Sequence, residues 1–426
     1  MLLPCLQNQT DAVHFITCLN GPLIFGLLCP SHNSHVSHSS LRGATSIDMG
    51  NQITVTSFQH QALPDSTTHI RLLEIIECEP NKSIVCELSV SPIETAPPYY
   101  AISYTWGDAE LTVALTVSGR RMTVRQNCEY ALRQAFNSNA SRHFWIDSVC
   151  IDQTSTQEKN HQVAMMGRIY KRATHVFACV GPHMDDSEIL LDVLDGTKSL
   201  SMQLHSAIRI AEVDPTSWAV PNSIPGRNSL ALRCFLTMPA ARRKRLADAF
   251  IAFMRRPYFS RFWILQEMLL AKSISYCCGM DIQYFNDIMA IGTLVDFWIN
   301  EKLYMDHWRN ITRKTVSFMS RRRYILRRQK VCQAMKSETE DLEFAWGSLA
   351  LAIGMKKSLD LSSVLIAMPH FHCADPRDKL YGILSLVNWK DIPVPVPDYD
   401  KNSLEIAVEV LGMILADKSY AAGIRP

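Results

Sequence analysis

The sequence lacks the patterns by which several large enzyme classes are recognised. It contains no G-x-G-x-x-G and no G-x-x-x-x-G-K-[ST], so it has neither a dinucleotide-binding loop nor a P-loop of the known type. The zinc-protease pattern H-E-x-x-H and the nucleophile-elbow pattern G-x-S-x-G are also absent. Familiar dehydrogenases, kinases, zinc proteases and α/β-hydrolases are therefore excluded.

Cysteine spacing excludes a further group of sites. Thirteen cysteines are scattered along the chain, but no two have the C-x-x-C spacing of a zinc or redox site, so we predict no metal centre. Several lie inside apolar runs, as in Val149-Cys150-Ile151, which is typical of buried free thiols in a reducing compartment. We therefore expect a cytoplasmic protein.

Strong charge and long apolar runs are missing as well. The formal net charge is only +2, so no global field favours nucleic acid, and we predict no nucleic-acid partner. No Lys or Arg precedes Arg42, so the basic region of a signal peptide is absent. The apolar stretch 12–29 is too short and too polar to cross a membrane, and we predict no membrane association.

What is present begins with strand patterns. Residues 70–76 and 84–88 are rich in β-branched side chains, and residues 113–117 and 122–124 flank a hairpin turn. Apolar runs at 99–104, 144–149 and 175–180 do not alternate, which is typical of strands buried on both faces. Ser155 and Glu158 have capping-box spacing before a helix predicted over 156–173. Strands alternating with helices predict an α/β fold with a partly parallel sheet.

The remainder of the chain is predicted to be mainly helical. Helices are expected at 242–254 and 259–271, with a strand at 274–278 between them and the C-terminal part. We predict three regions: a disordered N-terminal tail over 1–68, an α/β core over 69–279, and a helical C-terminal extension over 280–426.

Three clusters combine polar and aromatic residues near predicted strand ends, where ligands bind in α/β sheets. The first contains Tyr104, Trp106 and Asp108, the second Asp147, Asp152 and Gln153, and the third Arg261 and Glu267. Carboxylates and a Trp gathered there could hold a ribose or an aromatic ring. The alternative is that they cap helices and bridge loops, and residue types alone favour that alternative.

The same clusters resemble the motifs of the heterokaryon incompatibility (HET) family of filamentous fungi. Residues 100–108, YAISYTWGD, resemble the family's opening Y-x-A-L-S-Y-x-W-G motif, and residues 145–153, WIDSVCIDQ, resemble W-I-D-A-I-C-I-N-Q. The helix that follows, the segment 256–267, the segment 375–382 and the sequence P-D-Y at 397–399 match later blocks in the same order. The resemblance implies a role in non-self recognition and programmed cell death, through protein partners or self-assembly.

HET domains are also similar to TIR domains, which share a flavodoxin-like α/β core. Residues 260–269 resemble a TIR segment whose Glu, in some members, cleaves NAD at the glycosidic bond. That resemblance implies Glu267 as the catalytic residue and NAD as substrate, since a carboxylate can stabilise an oxocarbenium-like centre. Without catalysis, Glu267 would instead pair with Arg261 or a nearby Lys. Three hypotheses stay open: a non-enzymatic death effector, an NAD glycohydrolase, and a degenerate interaction module.

Overall fold

A computed structural model describes residues 56–195, 238–285, 371–389 and 393–416, with a few helical positions between 288 and 295. The first element is an antiparallel pair, β1 (His69–Glu77) and β2 (Val85–Pro92). The second is the hairpin of β4 (Thr112–Val117) and β5 (Arg120–Arg125). Ser118 and Gly119 both have positive φ, as a tight hairpin turn requires, so the predicted hairpin is confirmed.

The centre of the sheet is parallel. It consists of β3 (Tyr100–Tyr104), β6 (His143–Trp145), β7 (His175–Gly181) and β8 (Ile274–Cys278), and β9 (Asp281–Tyr284) pairs antiparallel with β8. The nine strands have the order β5-β4-β2-β1-β6-β3-β7-β8-β9. The prediction of an α/β fold with a partly parallel sheet is confirmed.

Helices cover both faces of this sheet. A separate hydrophobic core lies on each face of the sheet, and neighbouring residues of β7 point to opposite cores. Ala178 and Val180 pack in one core, and Cys179 packs in the other. The helices are α1 (Gln126–Asn137), α2 (Asp147–Cys150), α3 (Thr156–Arg172), α4 (Ser187–Asp195), α5 (Ala240–Met254), α6 (Ile264–Leu269), α7 (Asp378–Tyr381) and α8 (Ser403–Ala416), with a 3₁₀ turn at Pro257–Ser260.

One half of the predicted capping box of α3 is confirmed. The Ser155 side chain accepts a hydrogen bond from the backbone N–H of Glu158 at 3.3 Å. The other half is not formed, because the Glu158 carboxylate accepts from Arg71 and from the Asp152 N–H.

Two other predicted elements are wrong. The predicted strand 144–149 ends at Trp145, because the chain turns into α2 and the Cys150 N–H bonds back to the carbonyl of Ile146 at 2.8 Å. The predicted helix 259–271 is reduced to a 3₁₀ turn and the six-residue α6.

Segments outside the predicted core boundaries also pack on it. Phe58 donates its N–H to the carbonyl of Arg121 at 2.7 Å, and its side chain packs against one hydrophobic core. Phe371 and Leu380 are buried in the other core. We therefore propose that the folded domain includes residues 56–68 as well as residues 371–389 and 393–416. Most of the predicted helical extension lies outside the described residues.

Across the described part of the chain, no helix is both long and apolar enough to span a membrane.

A buried ion pair fixes α3 to β1. Arg71, which is 3% exposed, donates to both carboxylate oxygens of Glu158, at 2.5 and 2.9 Å. Further bonds from Arg71 reach the carbonyls of Cys150 and Gln61. Because both charged groups are removed from water, the loss of either partner leaves the other uncompensated.

We expect Arg71→Ala to lower the free energy of unfolding by about 3–5 kcal/mol, because it strands the buried Glu158 carboxylate. Urea unfolding followed by circular dichroism measures this change. Arg142→Ala is the matched control, since Arg142 pairs with Glu74 at the surface, where such a pair contributes about 0–1 kcal/mol. Equal losses in the two variants would contradict the assignment.

Candidate functional site

The candidate site lies where β3 ends. The apolar run of β3 carries Ser103 and Tyr104 to the carboxyl edge of the parallel strands, where both side chains are buried. The 3₁₀ turn and α6 bring Tyr258, Arg261 and Glu267 to the same place. Two predicted site residues, Arg261 and Glu267, therefore lie beside Ser103 in the first motif.

Ser103, Tyr258, Arg261 and Glu267 form what we call the Ser103 cluster. Arg261 binds Glu267 in a two-pronged ion pair, with both nitrogen–oxygen distances at 3.0 Å. Ser103 donates its hydroxyl to Glu267 and lies 2.7 Å from the hydroxyl of Tyr258. Glu267 is only 2% exposed. The pairing of Glu267 with Arg261, which was the alternative to catalysis, is what the geometry shows.

Charge balance in this cluster follows from burial and pairing. Burial is the largest single influence and by itself would lower the pKa of Arg261. The charge and hydrogen bonds of Glu267, together with the neighbouring Tyr258 and Tyr170, outweigh burial, so the net shift of the pKa is upward. Burial and the same carboxylate raise the pKa of Tyr258, which keeps its phenol protonated as a donor. The cluster is thus one cation, one anion and two neutral hydroxyls.

A second pair of predicted residues lies beside this cluster. The Trp106 indole N–H donates to Asp147 Oδ2 at 2.8 Å, and the Ser148 backbone N–H donates to Oδ1 at 2.7 Å. Burial raises the pKa of Asp147 to about 6, although Trp106 and the Arg261 charge both favour its ionised form. Asp147 also helps raise the pKa of Tyr104, after burial, the largest cause. Tyr104, Trp106, Asp147, Arg261 and Glu267 therefore share one region.

The other three predicted residues take no part in the Ser103 cluster or in the Trp106–Asp147 pair. Asp108 is exposed and accepts the backbone N–H of Glu110. Asp152 accepts from the backbone and hydroxyl of Thr154, and these bonds outweigh burial and lower the pKa of Asp152. Gln153 is exposed and donates to the backbone carbonyl of Asp147 at 3.2 Å. Their contacts are those of turn-forming residues.

The sequence placed Ser103 in the first cluster, but neither Ser103 nor Tyr258 was predicted as a site residue. Ser103 sits in the otherwise apolar strand β3, and a polar residue in a buried run signals a hidden partner. Sequence reasoning also missed a second indole–carboxyl pair, in which Trp263 Nε1 donates to Asp378 at 3.0 Å and the Tyr399 hydroxyl donates to the same carboxyl at 2.5 Å. That pair joins two of the later motif blocks, 256–267 and 375–382.

The arrangement limits the chemistry that it can perform. Both oxygens of Glu267 already accept hydrogen bonds, and the carboxylate is shielded from water. A nucleophile or charge stabiliser has to reach the substrate atom directly, so Glu267 would first have to exchange its present partners. Among the described residues, no group of three His, Cys, Asp or Glu side chains is placed to hold a metal ion.

The raised pKa of Asp147 predicts a pH effect on stability. The folded protein holds the Asp147 proton up to about pH 6, whereas the unfolded chain releases it near the ordinary aspartate pKa of 3.8. Protonated Asp147 therefore stabilises the folded state. This stabilisation is complete below the pKa of the unfolded chain and is lost as pH rises through the pKa of the folded protein. We expect Asp147→Asn to gain stability relative to wild type, on the order of 1 kcal/mol, between pH 5 and 7.

Urea unfolding at both pH values measures this difference. Asp65→Asn is the control, because hydrogen bonds from Thr67 and Thr68 lower the pKa of Asp65 to about 2. Asp65 is therefore ionised in the folded and unfolded states over the whole range, and its variant should show no trend. If the stability difference between Asp147→Asn and wild type were the same at pH 5 and pH 7, the Asp147 carboxyl of the wild type would already be ionised at pH 5.

A known protein family is similar to this chain over the residues that form the candidate site. Residues 99–267 match the profile of the family "Heterokaryon incompatibility protein (HET)", an interval that runs from the start of β3 to Glu267. The chain is 27% identical over 247 residues to "Heterokaryon incompatibility protein 6, OR allele" of Neurospora crassa, covering 53% of this chain. It spans only 35% of the length of that relative. No solved structure matches the chain. Residues 99–267 of this chain therefore form a heterokaryon incompatibility (HET) domain.

Proposed function

We propose that this chain acts in fungal non-self recognition and promotes the cell death that follows fusion of incompatible strains. The observation that carries the proposal is the match of residues 99–267 to the HET family, together with a relative named for heterokaryon incompatibility. The whole-protein activity is part of the proposal, since the chain spans 35% of that relative. We place the protein in the cytoplasm, in line with its free cysteines.

The domain acts in this proposal through contacts with protein partners or with further copies of itself. The buried Ser103 cluster supports this choice, because both oxygens of Glu267 already accept hydrogen bonds within the cluster and the carboxylate is shielded from solvent. Its role is to hold the edge of the sheet in one conformation. Glu267 is then a positioning residue, and catalysis on NAD by Glu267 stays a prediction from resemblance alone.

Inducible expression in a filamentous fungus tests the proposal. We expect the wild-type chain to slow colony growth and to raise the fraction of hyphal cells that take up a vital dye. The reason is that a HET effector at high concentration assembles without its trigger. Normal growth at protein levels well above those of an inert control protein would contradict the proposal.

Two matched substitutions separate the effector from the NAD-cleaving hypothesis. Glu267→Gln and Glu158→Gln each remove the charge of a buried carboxylate that is paired with an Arg, but only Glu267 has a proposed chemical role. Each change is expected to cost about 3–5 kcal/mol of stability, so the variants are compared at equal amounts of folded protein. We expect both to retain toxicity to the same extent.

The purified proteins are incubated with NAD in parallel, and release of nicotinamide is measured. The effector proposal expects no release from any of them. Nicotinamide release by wild type and by Glu158→Gln, lost together with toxicity in Glu267→Gln, would overturn it in favour of a glycohydrolase.

A further inference from the structure

A second group of reactive side chains lies at the carboxyl ends of β7 and β8, apart from the Ser103 cluster. Cys278 is the last residue of β8, and His183 follows Gly181 at the end of β7. Asp281 begins β9, and Arg256 precedes the 3₁₀ turn. We call these four residues the Cys278 cluster. None of the motifs discussed above assigns it a role.

The contacts have the form of a nucleophile, a base and an orienting carboxylate. Cys278 Sγ lies 3.7 Å from His183 Nδ1, and His183 Nε2 lies 3.2 Å from Asp281 Oδ2. A carboxylate at Nε2 fixes the proton on that nitrogen and leaves Nδ1 as the acceptor. The Ser187 hydroxyl, 3.2 Å from Nδ1, completes the set. Nδ1 can therefore receive the thiol proton.

A buried cation faces the same sulfur. Arg256 is 5% exposed, and its Nη1 lies 3.2 Å from Cys278 Sγ. Its other acceptors are the backbone carbonyls of Val180, Pro182 and Met184, and within the described part of the chain it forms no salt bridge. Buried guanidinium groups are normally paired with an anion. The sulfur of Cys278 is the side-chain group that Arg256 contacts in place of a carboxylate.

The backbone is shaped to hold His183 in place. Gly279, directly after Cys278, has a φ of +58°, and a Cβ there would lie 2.0 Å from the His183 ring. The ring thus occupies the space that any other side chain would fill. The His183 side chain is 25% exposed, so it connects the buried sulfur to solvent.

Other cysteines of the chain have inert surroundings. Burial raises the pKa of the Cys86, Cys128 and Cys150 thiols to about 12, so these remain protonated. Cys78 is a useful contrast because it is more exposed than Cys278 and has Arg133 at 3.6 Å. No His lies against Cys78 among its described contacts, and burial raises its pKa despite that Arg.

We propose that Cys278 is a redox-modification site whose thiol is oxidised to a sulfenic acid by hydroperoxides. His183 Nδ1 takes the thiol proton, and the sulfur attacks the nearer oxygen of the hydroperoxide. The O–O bond breaks, its electron pair leaves with the distal oxygen, and that oxygen receives the proton from His183. Sulfur is oxidised, the peroxide is reduced, and water is the second product when the oxidant is hydrogen peroxide.

The test uses the full chain, hydrogen peroxide and a cyclic 1,3-diketone that traps sulfenic acids. Digestion and mass spectrometry then give the labelling rate at each cysteine. We expect Cys278 to be labelled about tenfold faster than Cys78, because Cys278 has a proton acceptor in His183 and a cation in Arg256 beside its sulfur. Faster labelling at Cys78, or none at Cys278, would overturn the proposal. This comparison needs no variant, so it does not depend on a substitution folding.

A pair of histidine variants then tests the base. His183→Gln should slow labelling of Cys278 by about tenfold, since the proton acceptor is lost. His69→Gln, on β1, is the matched control and should leave the rate unchanged. Cys278→Ser should remove this label and no other. Equal rates in the two His variants would show that His183 plays no part in the reaction.

Discussion

The ion pair between Arg261 and Glu267 is the interaction on which the rest of the HET domain depends. Glu267 is buried and Arg261 is half-buried, and their charges compensate each other, with further hydrogen bonding from the hydroxyls of the Ser103 cluster. Ser103 is on β3, and Glu267 is on α6. Their hydrogen bond joins parts of the chain that are 164 residues apart in sequence. The cluster therefore ties the end of β3 to the segment that carries α6.

Two carboxyls each accept a hydrogen bond from a tryptophan indole, and each bond joins motif blocks that are distant in sequence. Asp147 accepts the indole N–H of Trp106, and Asp378 accepts the indole N–H of Trp263. Burial raises the pKa of both carboxyls to about 6. An indole donates one hydrogen bond and packs a large apolar surface, which suits it to cover a partly buried carboxyl. The family motifs thus correspond to contacts that assemble the domain.

Local patterns were enough to predict much of the fold. The capping box at Ser155 and the apolar face of α3 are local features, and so are the hairpin residues Ser118 and Gly119. The strand predicted through Val149 was wrong because a short apolar run has no period that separates a strand from a buried helical turn. The helix predicted over 259–271 was wrong because the Phe262 N–H pairs with the carbonyl of His372, which no local pattern reveals.

The same distinction applies to the candidate site. The motif residues Trp106, Asp147, Arg261 and Glu267 could be chosen by type and position, and the structure brings them together. Their pairing could not be read from the sequence, since it depends on which helix meets which strand. Asp152 carries the same functional group as Asp147, but the hydroxyl of Thr154, two residues later, holds it in a turn.

Residues after position 371 complete one hydrophobic core, so this core cannot form fully until late in the synthesis of the chain. Trp263 and Asp378 are 115 residues apart, and Tyr399 donates its N–H to Asn160 across 239 residues. At about 5–20 residues per second, Asp378 leaves the ribosome on the order of ten seconds after Trp263. Throughout that interval the aromatic side chains around α6 have no cover from the C-terminal segment. A nascent chain of this protein therefore leaves these apolar side chains uncovered until residues 371–389 and 393–416 have been made.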